Sequence, residues 1–183
     1  ERAEWISFDV ETDSLERLQA GIVGICLAAA PPVAYYIPVG HISGTAQSES
    51  GQMNLFAAGA PELAPGQLPL RRVVEPLYPA LTNPAIRKVA HNAKFDCMIL
   101  SRFGLPVAPV AFDTMIAEWL TDPATKHKGL KDLARRRLGA EMTDIQELIG
   151  RGRAQTTFAE VPIETAAPYG AADADMTLRL LPQ

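Results

Sequence analysis

The chain has 183 residues, 48% of them hydrophobic and 21% charged, with a formal net charge of −4. That is the size of one domain with a substantial core, and no apolar run approaches the roughly 18 residues that a membrane span needs. The acidic balance disfavours a general nucleic-acid binder. Two cysteines, Cys26 and Cys97, are too few for a disulfide framework and read as small core residues of a reducing compartment. No signal peptide is visible, and a first residue of Glu rather than Met suggests an excised domain.

In chain order, residues 4–11 read as a strand. The stretches "GIVGICLAAA" (21–30) and "VAYYIPVG" (33–40) read as two more, joined by a Pro-Pro turn, which suggests an antiparallel meander. Residues 42–69 are rich in Gly, Pro, Ala and Ser without a clear period, the mark of a long loop or insertion. The spacing of Val73, Val74, Leu77 and Leu81 predicts a helix over 70–81, weakened by Pro76 and Pro79. A short strand (86–92), a helix closed by Gly104 (93–104) and a short strand "PVAF" follow. Next come a helix over 113–122 capped by Asp113 and an amphipathic helix over 129–139. Residues 143–150 add one or two turns, 151–158 a loop, and 162–181 a final helix, irregular near Pro168. The fold class is α/β, one mixed sheet with helices packed on it, and no internal repeat is present.

Three acidic sites recur in apolar settings. In "FDVETDSL" (8–15), Asp9 and Glu11 are two apart on a strand and so share a face. Asp96 opens a helix whose other members are Phe95, Met98, Ile99 and Leu100, and in "YGAADAD" (169–175) Tyr169 and Asp173 share a helix face. Asp175 lies about 200° round the helix from Asp173. Each fragment alone also fits a bland reading: a strand end, an N-terminal charge on a helix dipole, a surface pair. Taken together, four carboxylates from distant segments cannot all face a core without cations. Oxygen-only ligands suit Mg²⁺ or Mn²⁺. His41, His91 and His127 show no paired spacing, and neither a phosphate loop nor a nucleophile elbow is present. Lys126, Lys128, Lys131, Arg135, Arg136 and Arg137 form a basic run that is either a solvated helix face or a phosphate-attracting patch.

The order "FDVETDSL", "HNAKFD", "Y-x-x-x-D" resembles the three motifs of the proofreading 3′–5′ exonuclease domain of bacterial DNA polymerase I (family A), in the tyrosine branch of the DEDD superfamily. "AYYIPVGH", "FDTMIAEWLTDP", "LKDLARRRLG" and "TTFAEV" resemble that family's connecting segments in the same order. The resemblance covers nearly the whole chain. It implies a single domain over 1–183 with a ribonuclease H-like fold: a mixed five-stranded sheet, three antiparallel strands then further strands, flanked by helices. Residues 42–69 are longer than the family leads one to expect, and no polymerase domain follows.

Carried over residue by residue, the resemblance implies that Asp9, Glu11 and Asp173 ligate one divalent ion. Asp9 then bridges to a second ion, which Asp96 holds through water, and Tyr169 hydrogen-bonds the attacking water. The implied cofactors are two Mg²⁺ ions, with Mn²⁺ able to substitute. The implied partners are a single-stranded DNA 3′ end and a polymerase domain in the same chain, with no membrane, a monomeric state and a bacterial cytoplasmic, nucleoid-associated location. Leu15 as a wedge and Asn92 near the terminal nucleotide are weaker implications, each matched by a plain turn or core role. Phe158 reads first as core and second as a base-stacking ring. Lys128, Lys131, Arg135 and Arg136 are candidates for tracking phosphates. The same constellation fits a ribonuclease D-like RNA exonuclease, and a catalytically silent spacer is a third reading. The histidine branch of the superfamily is disfavoured, because its base would stand where Pro168 is.

Overall fold

A computed structural model of the chain describes residues 3–43 and 62–182. Strand β1 (Trp5–Thr12) alternates: Phe8 and Val10 are buried on one face, while Ser7, Asp9 and Glu11 share the other. β2 (Ile22–Ala30) and β3 (Val33–Pro38) pair antiparallel with it as the expected meander. β4 (Arg87–Ala90) and β5 (Val110–Asp113) add in parallel on the other side, giving a five-stranded sheet of order β3-β2-β1-β4-β5. The crossover from β3 to β4 carries α1 (Leu70–Thr82), and α2 (Ala93–Arg102) links β4 to β5.

α1 and α2 cover one face of the sheet. Val73, Val74 and Leu81 of α1 and Ile99 and Leu100 of α2 pack with Phe8, Val10 and Ile25. Each such side chain, fully buried, contributes about 1.5–3 kcal/mol. α6 (Ile163–Arg179) covers the other face, where Ala174 and Leu178 meet Cys26, Ala28 and Val89. The result is a three-layer α/β/α arrangement with the carboxylates of β1 beneath α6.

Two expected weaknesses do not materialise. α1 runs unbroken through Pro76 and Pro79, and α6 through Pro168. In α1 both prolines lie on the exposed side, as do Arg72 and Glu75 four residues back. Water can satisfy the carbonyls that lose an N–H there, while the buried side anchors the helix. The predicted helix over 129–139 is a single α-turn, α4 (Leu130–Leu133), continued by a π-helical turn (Ala134–Leu138) and closed by Gly139 at φ 65°. α5 (Ile145–Ile149) supplies the turns expected over 143–150, the loop over 151–158 contains a 3₁₀ turn (Gly152–Ala154), and another follows at Phe158–Glu160.

Of the predicted insertion 42–69, residues 44–61 lie outside the described residues. Its two ends meet: Ile42 bridges Leu63, and Gln67 bonds the backbone of His41 in both directions, at 2.7 and 2.8 Å. The segment therefore leaves and re-enters the fold at a paired neck.

Candidate active site

Asp9 and Glu11 stand on β1 on the face toward α6, and Cys26 is Asp9's register partner on β2. Ligand atoms of Asp9, Glu11 and Cys26 lie within 4.8 Å of one another. α6 brings Tyr169 and Asp173 down on them. Gly170 makes that approach feasible: a Cβ there would sit 2.7 Å from Cys26 Sγ and 2.8 Å from the Tyr36 ring. Asp96 arrives from the other layer. β4 pairs with β1 only as far as Ser7, so the backbone N–H of Val10 beyond that point is free to donate to the Asp96 carboxylate.

The start of α2 is held in place by a residue that the sequence marked only as a cap. Asp113 accepts from Met115 and Ile116 at the start of α3 (Thr114–Thr121), as expected. It also accepts from the N–H groups of Asn92 and Ala93, at 3.1 and 2.8 Å. One carboxylate thus ties two helix N-termini together three residues before Asp96. Its pairing with Asn92 is 21 residues long-range, which no local pattern signals.

The electrostatics are those of acids with too little counter-charge. Burial, partly offset by a hydrogen bond from the Cys26 thiol, pushes Asp9 up to about 6. Burial and then the Asp9 charge push Asp173 up to about 8, against the pull of Lys131. Glu11 and Asp96 are raised well above the carboxylate range by burial first and by their acidic neighbours second. Asp173 Oδ1 is buried and has no hydrogen-bond partner among the described residues. A lone pair orphaned among three other carboxylates fits a hard cation, and carboxylate oxygens as donors fit Mg²⁺ or Mn²⁺. Cys26, read from sequence as a core residue, is indeed fully buried, but its thiol forms the floor of this cluster.

Tyr169 is half-buried beside Asp173, its phenol raised by burial and then by Asp173, Glu11 and Asp9. Lys131 Nζ donates to its hydroxyl at 3.0 Å. A cavity of about 510 Å³ opens from Glu11 and Tyr169 and is lined by Leu15, Phe95, Ile149 and Phe158. Leu15 is 87% exposed at its rim, so a core role for it is ruled out. Phe158 is 5% exposed and packs with Val23 and Val161, with its ring 5.7 Å from that of Tyr169. It is a core residue that also forms a cavity wall.

The structure splits the remaining candidates. Asn92 is exposed in the left-handed region, φ 63°, at the turn into α2. Lys128 Nζ donates to the Pro123 carbonyl at 3.4 Å. Arg135 pairs with Asp132 at 2.8 Å on a second groove that ends at Asp173. Arg136 lies 3.7 Å from Glu118 and Arg137 is bonded to it. The basic run is therefore neither one solvated face nor one patch: Lys131 turns to the acids and the arginines to partners of their own. Asp175 points away from the cluster and pairs with Arg179 at 2.8 Å.

A family model described as 3′–5′ exonuclease matches residues 1–183. A DNA polymerase I of Chloroflexus aurantiacus is 46% identical over 176 residues, covering 95% of this chain and 16% of that protein. One of Pseudomonas aeruginosa is 35% identical over 182 residues, covering 98% and 18%. The chain thus spans less than a fifth of the length of these relatives. Among solved structures, Brucella melitensis NrnC superposes with a TM-score of 0.65 at 22% identity, over 98% of this chain and 70% of that one. Escherichia coli RNase D does so with a TM-score of 0.59 at 16% identity, over 97% and 37%. These two share the ribonuclease H-like α/β fold of the chain.

Proposed function

The chain belongs to the 3′–5′ exonuclease family found in DNA polymerase I, and on that premise we propose that it hydrolyses the terminal phosphodiester at the 3′ end of single-stranded or frayed DNA. The observation that carries this reading is the convergence of Asp9, Glu11, Asp96 and Asp173, with Asp173 Oδ1 left unpartnered, beside Tyr169 and an open cavity. Asp9, Glu11, Asp173 and Asp96 are the residues that would hold two divalent ions, Mg²⁺ or Mn²⁺. When bound, such ions lower the pKa of water and neutralise the charge that develops on a phosphodiester under attack.

The chain's own residues do the rest. The four carboxylates give up protons as they take on cations, so affinity for metal rises with pH through the range in which Asp9 and Asp173 titrate. Tyr169, its pKa raised, stays a neutral phenol and orients the attacking water rather than deprotonating it. Water adds to phosphorus, the bond to the preceding 3′ oxygen breaks, and that oxygen leaves with a proton while a nucleoside 5′-monophosphate is released. The rim formed by Leu15 and the wall formed by Phe158 separate the terminal base from its neighbour. Asn92, Lys128 and Arg135 are at most peripheral contacts. A polymerase domain joined to this one would deliver mispaired ends to it, and the unit would then proofread in the bacterial cytoplasm.

The test is direct. A 5′-labelled DNA oligonucleotide and its RNA counterpart are incubated with the chain and Mg²⁺ or Mn²⁺, beside an EDTA control. A metal-dependent ladder that shortens DNA from its 3′ end is the expected result. Preferential shortening of RNA replaces this reading with a ribonuclease D-like one, and no product from either, with no metal-dependent thermal shift, replaces it with a silent module.

A further inference from the structure

Lys131 is a counter-charge to the acidic cluster, and its contacts are specific. Nζ donates to Tyr169 Oη at 3.0 Å and lies 4.4 Å from the centroid of the same ring. It also offsets the charge of Glu11 and Asp173. α4 and the π-helical turn that extends it place this side chain. The turn sends Arg136 and Arg137 to Glu118 on one side, and Lys131 faces α6 on the other.

The donor–acceptor inventory at Tyr169 Oη then becomes informative. A phenol has one proton to give and two lone pairs to receive with. An ammonium can only donate, so it occupies a lone pair, and the phenolic O–H must turn elsewhere. We infer that Lys131 is a positioning residue: it fixes Tyr169 with the hydroxyl proton aimed away from itself and into the acidic cluster, so that Tyr169 acts as a donor to the oxygen it orients. Lys131 thus works through Tyr169 and not by gripping a phosphate of the substrate. The stacked ammonium also holds the ring against rotation about its side-chain torsions. This inference rests on the exonuclease reading for its catalytic consequence, but the Lys131–Tyr169 contact itself does not.

A double-mutant cycle on the full chain tests it, using Lys131→Met, Tyr169→Phe and the pair of them. Tyr169→Phe removes only the hydroxyl and keeps the ring. The expected kinetic result on single-stranded DNA with Mg²⁺ is a loss of about 10-fold or more in kcat for Lys131→Met, with KM within about 2-fold of the original. The same lysine substitution is expected to have no further effect on kcat in the Tyr169→Phe background. Lys131→Arg, which retains a donor, recovers part of the loss. A full loss from Lys131→Met in the Tyr169→Phe background overturns the inference. So does a rise in KM with the salt dependence of binding reduced by about one unit of slope, because that is the signature of a phosphate contact.

The same cycle run as thermal unfolding in EDTA reads the contact without activity. Losses in Tm that are less than additive support it, and additive losses overturn it. Failure of the exonuclease reading is visible separately, as absence of cleavage by the unsubstituted chain.

Discussion

Two places in this molecule bury carboxylates, and they handle the cost in opposite ways. Glu118 on α3 is 4% exposed, yet it accepts from Arg137 at 2.9 and 2.5 Å, with Arg136 at 3.7 Å. The acidic cluster between β1, α2 and α6 gathers four carboxylates around one lysine, and one of its oxygens has no partner at all. Removing a charge from water costs several kcal/mol, and a fold must return that from within or leave the debt to a ligand. Glu118 is answered by the chain itself and ties α3 to the π-helical turn. Among the described residues the cluster is answered by Lys131 alone, and acids that push one another upward in a cleft mark a functional site.

The contrast breaks most sharply at Asp9. Asp9→Ala is expected to reduce cleavage by about 10³-fold, because on the proposed reading it removes a ligand of the divalent ions. The metal-free protein should be no less stable, since a repelling carboxylate has gone. Rates on a labelled oligonucleotide, and Tm in EDTA and in Mg²⁺, check both halves. The original chain should gain about 2–3 kcal/mol at roughly 100 times the metal's Kd, and the variant should not. A variant that unfolds, or one that still cleaves, breaks the comparison.

Glu118→Ala should do the reverse. It leaves Arg137 without its carboxylate, and a broken buried pair costs about 3–5 kcal/mol. Arg137 keeps 38% of its side-chain surface in water, so the expected loss is nearer about 2 kcal/mol. Urea unfolding measures it. At temperatures where the variant is folded, its cleavage rate should stay close to that of the original chain. A stable but inactive Glu118→Ala would move Glu118 into the site and erase the distinction drawn here.

How much of this contrast the sequence reveals depends on how local each signal is. The alternation of "FDVET" shows that Asp9 and Glu11 share a face, and the four-residue spacing of Tyr169 and Asp173 does the same for α6. The meander, the Asp113 cap and the final helix are legible for the same reason, since each rests on residues a few positions apart. Resemblance to a family supplies what periodicity cannot, that these segments meet. What stays hidden is long-range pairing. Lys131 and Tyr169 are 38 residues apart, and Arg137 and Glu118 are 19 apart, so the basic run reads as one feature although the fold divides it. α1 and α6 show a related blindness. Proline penalties are local, and packing and solvent access decide whether they are met.

The smallest effect is also the one that separates the two regions without a mutation at either. In the folded chain Asp9 is raised to about 6 and Asp173 to about 8, while both return to about 3.8 on unfolding. Between pH 4 and pH 8 the folded state therefore binds more protons than the unfolded state. Linkage then requires stability to fall as pH rises through that window. Both groups keep part of their surface in water, so the expected fall is about 1–2 kcal/mol. Urea midpoints in EDTA from pH 5 to pH 9 should show it. Saturating Mg²⁺ should remove the slope, because cations take the place of the protons. Asp173→Asn should flatten the upper part of the fall, between pH 6 and pH 8, and leave the lower part to Asp9. A metal-free curve that is flat, or that rises with pH, would mean that the cluster has found its counter-charge within the protein after all, as Glu118 has.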